Sequence, residues 1–243
     1  MRLVPDSCRL ELNWPHLMRE PTTCSEFSPT LVLLHGHGKF QGHLFDLLSF
    51  VDNRLRIIAL RAPHRIGPGS YRWFAYSRSP DGTIYIDRAE HEESQRMLLD
   101  LVATLRDRCR APIFIAGHSQ GGMIALCAAL ARPDLFRGCA VLNGRLLNEV
   151  VSRKLSMQKQ AISFFIAHGI NDEIIPVERG RSIRDYLMGQ GVRPVYREYN
   201  AEHEPTQEMF TDFSYWIGDQ LDCMLGSRQG STPAAPHIGE VSR

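Results

Sequence analysis

Length, composition and charge narrow the class of protein. The chain has 243 residues, enough for one α/β domain or two small ones with a sizeable buried core. Its 28 basic and 27 acidic residues are mixed along the chain and give a net charge of +1, so nucleic acid is not an expected partner. No apolar run approaches the roughly 18 residues that a membrane span needs, so no integral membrane segment is expected.

The N-terminus and the cysteines favour a cytoplasmic protein. Pro5, Asp6 and Arg9 interrupt the apolar stretch that a secretory signal would need. Six cysteines are scattered without a Cys-x-x-Cys pair, and several lie in apolar runs: Cys8, Cys24, Cys109, Cys127, Cys139 and Cys223. We expect reduced core thiols rather than disulfides or a zinc site.

Hydrophobic periodicity predicts strands that alternate with helices along the chain. The predicted strands cover residues 8–14 (an edge strand ended by Pro15), 30–34, 55–60, 113–116, 138–142, 161–167 and 194–199. The predicted helices cover residues 43–51, 90–109, 123–131, 177–188 and 205–225, and a polar, helix-compatible stretch runs to residue 160. This alternation predicts a largely parallel sheet with helices on both faces, in a single domain over residues 1–225. The Gly-, Ser- and Pro-rich tail, residues 226–243, is expected to be disordered.

One long irregular segment, residues 64–88, interrupts the alternation. It carries three glycines, two prolines, Trp73, Phe74 and three tyrosines, and this aromatic content argues against disorder. Trp73 and Phe74 are candidates for substrate contact. Arg72, with Arg65 and Arg78, is a candidate for binding a carboxylate or phosphate on the substrate. The alternative is that the aromatic side chains pin the segment to the core and the arginines are solvated.

The central chemical signal is Gly117-x-Ser119-x-Gly121, which lies between a buried strand and an alanine-rich helix. Two glycines around a serine at such a junction allow a sharp, strained turn that presents the hydroxyl as a nucleophile. The pattern alone also fits an ordinary glycine-rich turn, so the strand-turn-helix context carries the prediction. Met123 and Cys127, in the helix that follows, are expected to be core residues.

Two further residues complete a catalytic triad with Ser119. A serine hydroxyl needs a neutral imidazole to take its proton, and the imidazole needs a carboxylate to fix its tautomer. Asp172 and His203 each follow a predicted strand, as Ser119 does, and the carboxyl ends of parallel strands meet at one edge of a sheet. The chain order Ser, Asp, His is that of α/β hydrolases. The backbone N–H groups of His37 and Gln120 are the predicted donors to the oxyanion.

These assignments have alternatives. Asp172 could cap a turn, with Glu173 as the acid, and His203 could be a surface histidine. No metal site is predicted, because no carboxylate or cysteine accompanies the early histidines at ligand spacing: His35, His37, His43 and His64.

In order along the chain, the motifs resemble the phospholipase/carboxylesterase family of the α/β hydrolases, which includes bacterial carboxylesterases and acyl-protein thioesterases. The resemblance covers roughly residues 31–221 and depends on His35-Gly36-His37-Gly38, Arg61-Ala62-Pro63, Trp73-Phe74, Gly117-His118-Ser119-Gln120-Gly121-Gly122, His168-Gly169 with Asp172 and Pro176, and His203-Glu204. It implies the α/β-hydrolase fold and hydrolysis of an ester or thioester without a metal or organic cofactor. Lys39 and Ala75 stand where the family usually has acidic residues, so the resemblance predicts the chemistry better than the substrate.

The sequence therefore predicts a serine hydrolase that forms an acyl-enzyme on Ser119 from a small-molecule ester or thioester and releases it to water. Two alternatives stay open. One is an acyltransferase or thioesterase that acts on a carrier-bound biosynthetic intermediate, and the other is a catalytically silent binding protein with the same fold. The sequence does not fix the natural acyl and leaving groups or the oligomeric state, a homodimer included.

Overall fold

A seven-stranded sheet forms the centre of the computed structural model, which describes residues 10, 12–25, 27–80, 84–109, 111–147 and 162–225. The strands in chain order are β1 (His16–Arg19), β2 (Thr30–Leu34), β3 (Arg56–Leu60), β4 (His64–Gly67), β5 (Ser70–Arg72), β6 (Tyr76–Arg78), β7 (Ile84–Ile86), β8 (Ile113–His118), β9 (Gly138–Leu142), β10 (Ser163–Gly169) and β11 (Val195–Tyr199). The α-helices are α1 (Arg88–Cys109), α2 (Gln120–Ala131), α3 (Glu178–Gly189) and α4 (Gln207–Leu225), and Phe45–Phe50 and Pro133–Leu135 form 3-10 helices.

All strands of the sheet are parallel except the outer strand β1. The strand order is β1-β3-β2-β8-β9-β10-β11, and only β1, on β3, pairs antiparallel. The carboxyl ends of the six parallel strands therefore lie at the same edge of the sheet, which is where ligands bind in open α/β sheets.

Apolar residues of the strands point alternately to two layers of helices, as the period of two in a strand requires. On one face the strands pack against α1, α2 and α3, through residues such as Val32, Ile115 and Val141. On the other face they pack against α4 and the 3-10 helix at Phe45–Phe50, through residues such as Leu33 and Phe165. Strands buried on both faces read as continuous apolar runs, which is why β2 and β9 are predicted with their observed bounds.

Three predicted elements differ from the observed ones. The predicted edge strand at 8–14 is wrong where residues are described, because 12–14 form no strand and β1 begins after Pro15. Pro15 has no N–H to donate to a neighbouring strand. Its carbonyl accepts a hydrogen bond from the Arg61 N–H at 3.0 Å, and the pairing of β1 with β3 begins at the next residue. The predicted helix at 43–51 is a 3-10 helix at Phe45–Phe50. The segment 64–88 contains two hairpins, β4–β5 and β6–β7, rather than irregular chain alone.

Other predictions fall partly or wholly outside the described residues. They are the first part of the strand predicted at 8–14, most of the helix-compatible stretch that runs to residue 160, and the tail at 226–243. Within the described part of the chain, no helix is both long and apolar enough to cross a membrane. The described cysteines are free thiols, of which Cys109, Cys127 and Cys139 are buried while Cys223 is exposed.

Candidate active site

Ser119 occupies a strained turn between β8 and α2. Its backbone has φ 53° and ψ −120°, a conformation that residues other than glycine rarely adopt. The flanking glycines make the turn possible. A Cβ on Gly117 would lie 2.3 Å from the backbone of Gly121, and one on Gly121 would lie 2.4 Å from the carbonyl oxygen of Leu34. Only 8% of the Ser119 surface is exposed, so its hydroxyl faces a cavity and not the open surface.

The structure brings the three predicted triad residues into one hydrogen-bonded row. Ser119 Oγ lies 2.9 Å from His203 Nε2, and His203 Nδ1 lies 2.7 Å from Asp172 Oδ2. The three residues come from loops that follow β8, β10 and β11, as expected for strands that end at one edge. With Nδ1–H donating to the carboxylate, Nε2 is left as the acceptor that faces the serine hydroxyl.

The carboxylate of Asp172 is held by the loop that carries it. Its Oδ1 accepts the backbone N–H groups of Ile174 and Ile175 at 2.9 and 2.8 Å, which leaves Oδ2 for the imidazole. The buried ring of His168 donates from Nε2 to the carbonyl of Ile175 at 2.7 Å and so supports the same loop. Glu173, the alternative acid, is exposed.

Two side chains to which the sequence analysis assigned no role position the backbone of His203. His118 Nε2 donates to the His203 carbonyl at 2.8 Å, and the side-chain amide of Asn143 donates to the same oxygen. Asn143 follows β9 with φ 49°, is fully buried, and accepts the N–H of Gly169 at 3.0 Å. Burial, together with the neighbouring His203, lowers the pKa of His118 to about 3, so this ring is neutral. The available signals were the place of His118 directly before Ser119 and an Asn-Gly pair directly after a predicted strand.

The glycine-rich loop after β2 is fixed by its first histidine. His35 Nδ1 donates to the carbonyl of Gly36 at 2.8 Å, and Nε2 accepts the N–H of Ala62 at 3.0 Å. This bond joins the His-Gly-x-Gly element to the Arg-Ala-Pro element. Burial lowers the pKa of His35 to about 4, which keeps the ring neutral in this bridge. His37 and Gln120, the two predicted oxyanion donors, both line the cavity beside Ser119. Gln120 is the first residue of α2, where N–H groups have no partner within the helix.

The side chain of Gln120 ties the serine turn to Trp73 and Phe74. Its Oε1 accepts the Trp73 N–H at 2.8 Å, and its Nε2 donates to the Phe74 carbonyl at 2.7 Å. Trp73 is fully buried, and its indole donates to the carbonyl of His35 at 2.9 Å. Trp73 therefore lies in the core, as the alternative interpretation held, whereas Phe74 is 2% exposed and contributes to the cavity wall.

Arg72 lies away from the cavity wall and is engaged with an acid. Its guanidinium makes two bonds to the carboxylate of Glu90, at 3.0 and 2.7 Å, and the same carboxylate accepts the N–H of Ala75 at 2.6 Å. A carboxylate from α1 thus lies beside Ala75, one of the two positions where the sequence departs from the family pattern. Because its charge is already paired, the predicted role of Arg72 in substrate binding gains no support from its contacts.

Lys39, the other residue that differs from the family pattern, bridges two loops of the site. Its Nζ lies 2.8 Å from Glu204 Oε1, and His43 Nε2 lies 2.9 Å from Glu204 Oε2. Among the described residues, one group could hold a metal ion: His43, His118 and Glu204, whose ligand-type atoms lie within 4.8 Å of one another. The ammonium of Lys39 on the same carboxylate opposes a cation at this place.

A cavity of about 710 Å³ opens at the triad. Ser119 and His203 lie on its wall, with the His35–Gly38 loop on one side and the segment after β10 on another. Its volume is in the range of small-molecule sites. The arrangement therefore contains the groups that nucleophilic catalysis requires: a hydroxyl, an imidazole held by a carboxylate, and space beside them for a small molecule.

The chain is similar in sequence to curated carboxylesterases. A probable carboxylesterase of Oryza sativa subsp. japonica is 29% identical over 130 residues, which are 53% of each chain. A probable inactive carboxylesterase of the same plant is 29% identical over 89 residues, or 36% of each chain. The chain thus spans about half the length, or less, of these curated relatives.

The structural comparison confirms the predicted α/β-hydrolase fold. The crystal structure of esterase PE8 matches 86% of this chain and 99% of its own, with a TM-score of 0.73 at 21% identity. The family model described as Phospholipase/Carboxylesterase matches residues 23–219, most of the chain. The protein therefore belongs to the phospholipase/carboxylesterase family.

Proposed function

We propose that this protein is a serine hydrolase that cleaves a carboxylic ester or thioester through an acyl-enzyme on Ser119. One observation carries the proposal: Ser119, in a strained turn, lies 2.9 Å from a His203 ring whose other nitrogen lies 2.7 Å from Asp172. These are hydrogen-bond distances between a nucleophile, a general base and an orienting acid. Membership of a family described by esterase activity agrees with it.

In the first half of the proposed reaction, Ser119 Oγ attacks the carbonyl carbon of the substrate while His203 Nε2 takes the hydroxyl proton. The carbonyl oxygen becomes an oxyanion, which the N–H groups of His37 and Gln120 would stabilise. Collapse of the tetrahedral intermediate expels the alcohol or thiol, which receives its proton from His203. The side chain of Asp172 orients the ring and stabilises the imidazolium that forms in between.

In the second half, water replaces the leaving group. His203 takes a proton from the water, which attacks the acyl carbon, and a second oxyanion forms at the same donors. Its collapse releases the carboxylic acid and returns the proton to Ser119.

The test compares Ser119→Ala with Ser182→Ala, an exposed serine of α3. Wild-type protein should hydrolyse an activated neutral ester and should label with a fluorophosphonate probe. Ser119→Ala should lose both, with an unchanged melting temperature, because one hydroxyl contributes little packing. Ser182→Ala should behave as wild type. Labelling of Ser119→Ala at the wild-type rate would move the nucleophile elsewhere.

The same assay addresses the two alternatives. Transfer of the acyl group to added alcohols or amines in preference to water would indicate an acyltransferase. Failure of wild-type protein both to hydrolyse esters and thioesters and to label would indicate a silent binding protein.

A further inference from the structure

Basic side chains are concentrated around the cavity that contains Ser119. Arg78, Arg145, Arg179 and Lys39 line it, and Glu204 is the one acid among the described lining residues. Glu204 is already paired with Lys39 at 2.8 Å. The formal charge of the whole chain is only +1, so four cations against one acid is a local accumulation and not a consequence of composition.

The arginines reach the cavity from separate parts of the fold. Arg78 is the last residue of β6, Arg145 lies shortly after β9, and Arg179 lies in the first turn of α3. The guanidinium groups of Arg78 and Arg179 have no hydrogen-bond or ion-pair partner within the described part of the chain, although both line the same cavity.

Some arginines elsewhere on the surface have acidic partners. Arg181, two residues after Arg179 on α3, makes bonds of 2.8 and 2.9 Å to the carboxylate of Glu198. Arg132 likewise holds Asp134 with bonds of 2.8 and 2.7 Å. Arg193 also has no partner within the described part of the chain, so what distinguishes Arg78 and Arg179 is that both line the same cavity.

Apolar side chains lie beside these cations. Tyr76, Ile84 and Ile174 line the cavity and are 53%, 37% and 64% exposed. Exposed apolar residues at the rim of a cavity mark a surface that a ligand covers. A ligand that suits both sets of side chains has an apolar segment and a negatively charged end.

We propose that the cavity selects an ester or thioester whose acyl or leaving group bears a carboxylate or a phosphate, and that Arg78 and Arg179 bind this anionic group. The inference rests on the hydrolase function proposed above. A guanidinium binds either anion through paired, charge-assisted hydrogen bonds. The apolar rim would cover the methylene segment between the anion and the carbonyl that Ser119 attacks.

The experiment uses two matched pairs of substrates with the full-length protein. The first pair is p-nitrophenyl valerate and its ω-carboxylate counterpart, mono-p-nitrophenyl glutarate. The second pair is 1-valeryl-glycerol and 1-valeryl-glycerol 3-phosphate. The values of kcat/KM are measured for wild type, Arg78→Gln, Arg179→Gln and Arg179→Lys. Arg193→Gln is the control, because Arg193 is exposed and precedes β11, at the opposite edge of the sheet from the triad.

We expect wild type to prefer the charged member of at least one pair by about 10-fold or more, and the preferred pair identifies the anion. Arg78→Gln and Arg179→Gln should each lower kcat/KM for the charged member by about 10- to 100-fold, with the neutral member changed by less than about 3-fold. Arg179→Lys should restore part of the loss. The preference should fall as salt is added, because these side chains are exposed.

Equal rates for charged and neutral members would overturn the proposal, as would an Arg193→Gln variant that changes the preference as much as Arg179→Gln. In either case, continued hydrolysis of the neutral esters and probe labelling of Ser119 would leave the proposed hydrolase function standing. Loss of both in wild type would instead refute the hydrolase function itself.

Discussion

Replacement of Asp172 with asparagine changes one terminal atom of the triad, and the structure determines which way the new amide faces. Oδ1 of Asp172 accepts two backbone N–H groups, from Ile174 and Ile175. An NH2 group at that position would face two donors, so the amide oxygen stays there and the NH2 group takes the place of Oδ2. It then points at His203 Nδ1, which is 2.7 Å away.

This orientation forces the wrong tautomer of the imidazole. His203 Nδ1 must accept from the amide, so the ring proton moves to Nε2, the atom that lies 2.9 Å from Ser119 Oγ. A protonated Nε2 cannot take the hydroxyl proton. We expect Asp172→Asn to lower kcat/KM by about 10³ to 10⁴, equivalent to about 4 to 5 kcal/mol of transition-state stabilisation. The melting temperature should change little, because the two backbone bonds to the amide oxygen remain.

The assay is hydrolysis of an activated neutral ester, with the rate of fluorophosphonate labelling as a second readout. Glu173→Gln is the matched control, since Glu173 is the adjacent, exposed carboxylate and should leave both readouts unchanged. If Asp172→Asn kept more than about a tenth of the wild-type activity, or if Glu173→Gln lost as much, the acid would have to be placed elsewhere.

Two further predictions concern stability and the serine turn. Burial lowers the pKa of His35 to about 4, so between pH 6.5 and pH 4 the unfolded chain binds a proton at this residue and the folded chain does not. The free energy of unfolding should therefore fall by about 1.4 kcal/mol for each pH unit that the pH is lowered in this range. Urea denaturation at pH 7 and pH 5 should show a smaller drop in His35→Gln, and equal drops would contradict the buried neutral ring. Gly121→Ala should destabilise the protein by about 1 to 3 kcal/mol and abolish most activity, because its Cβ would lie 2.4 Å from the Leu34 carbonyl oxygen. Gly189→Ala, with nothing within 4 Å, should be neutral, and similar losses in both variants would refute the steric argument.

The sequence was informative where local pattern and tertiary environment coincide. The continuous apolar runs of β2 and β9 are buried on both faces, and their predicted bounds match the structure. The loops that carry Ser119 and Asp172 follow such strands, and the loop of His203 follows the edge strand β11. Their meeting at the carboxyl ends of the strands could be anticipated from the order of the elements.

The sequence was less informative where contacts between distant residues determine the local structure. β1 is short and half-exposed, so its place after Pro15 depends on pairing with β3 and not on any pattern of its own. The hairpin strands β6 and β7 are mostly exposed and show no alternation that would predict them. A tryptophan or an arginine has the same sequence signal in a core, an ion pair or a cavity wall, which is why Trp73 and Arg72 could not be placed.

The carbonyl of His203 is held by buried donors from the ends of two adjacent strands, His118 on β8 and Asn143 after β9. The proposed general base thus takes its position from the sheet, whereas Arg78 belongs to a hairpin and Arg179 to the start of a helix. Substitutions in β6 and β7 can therefore alter which molecules enter without moving the imidazole relative to Ser119.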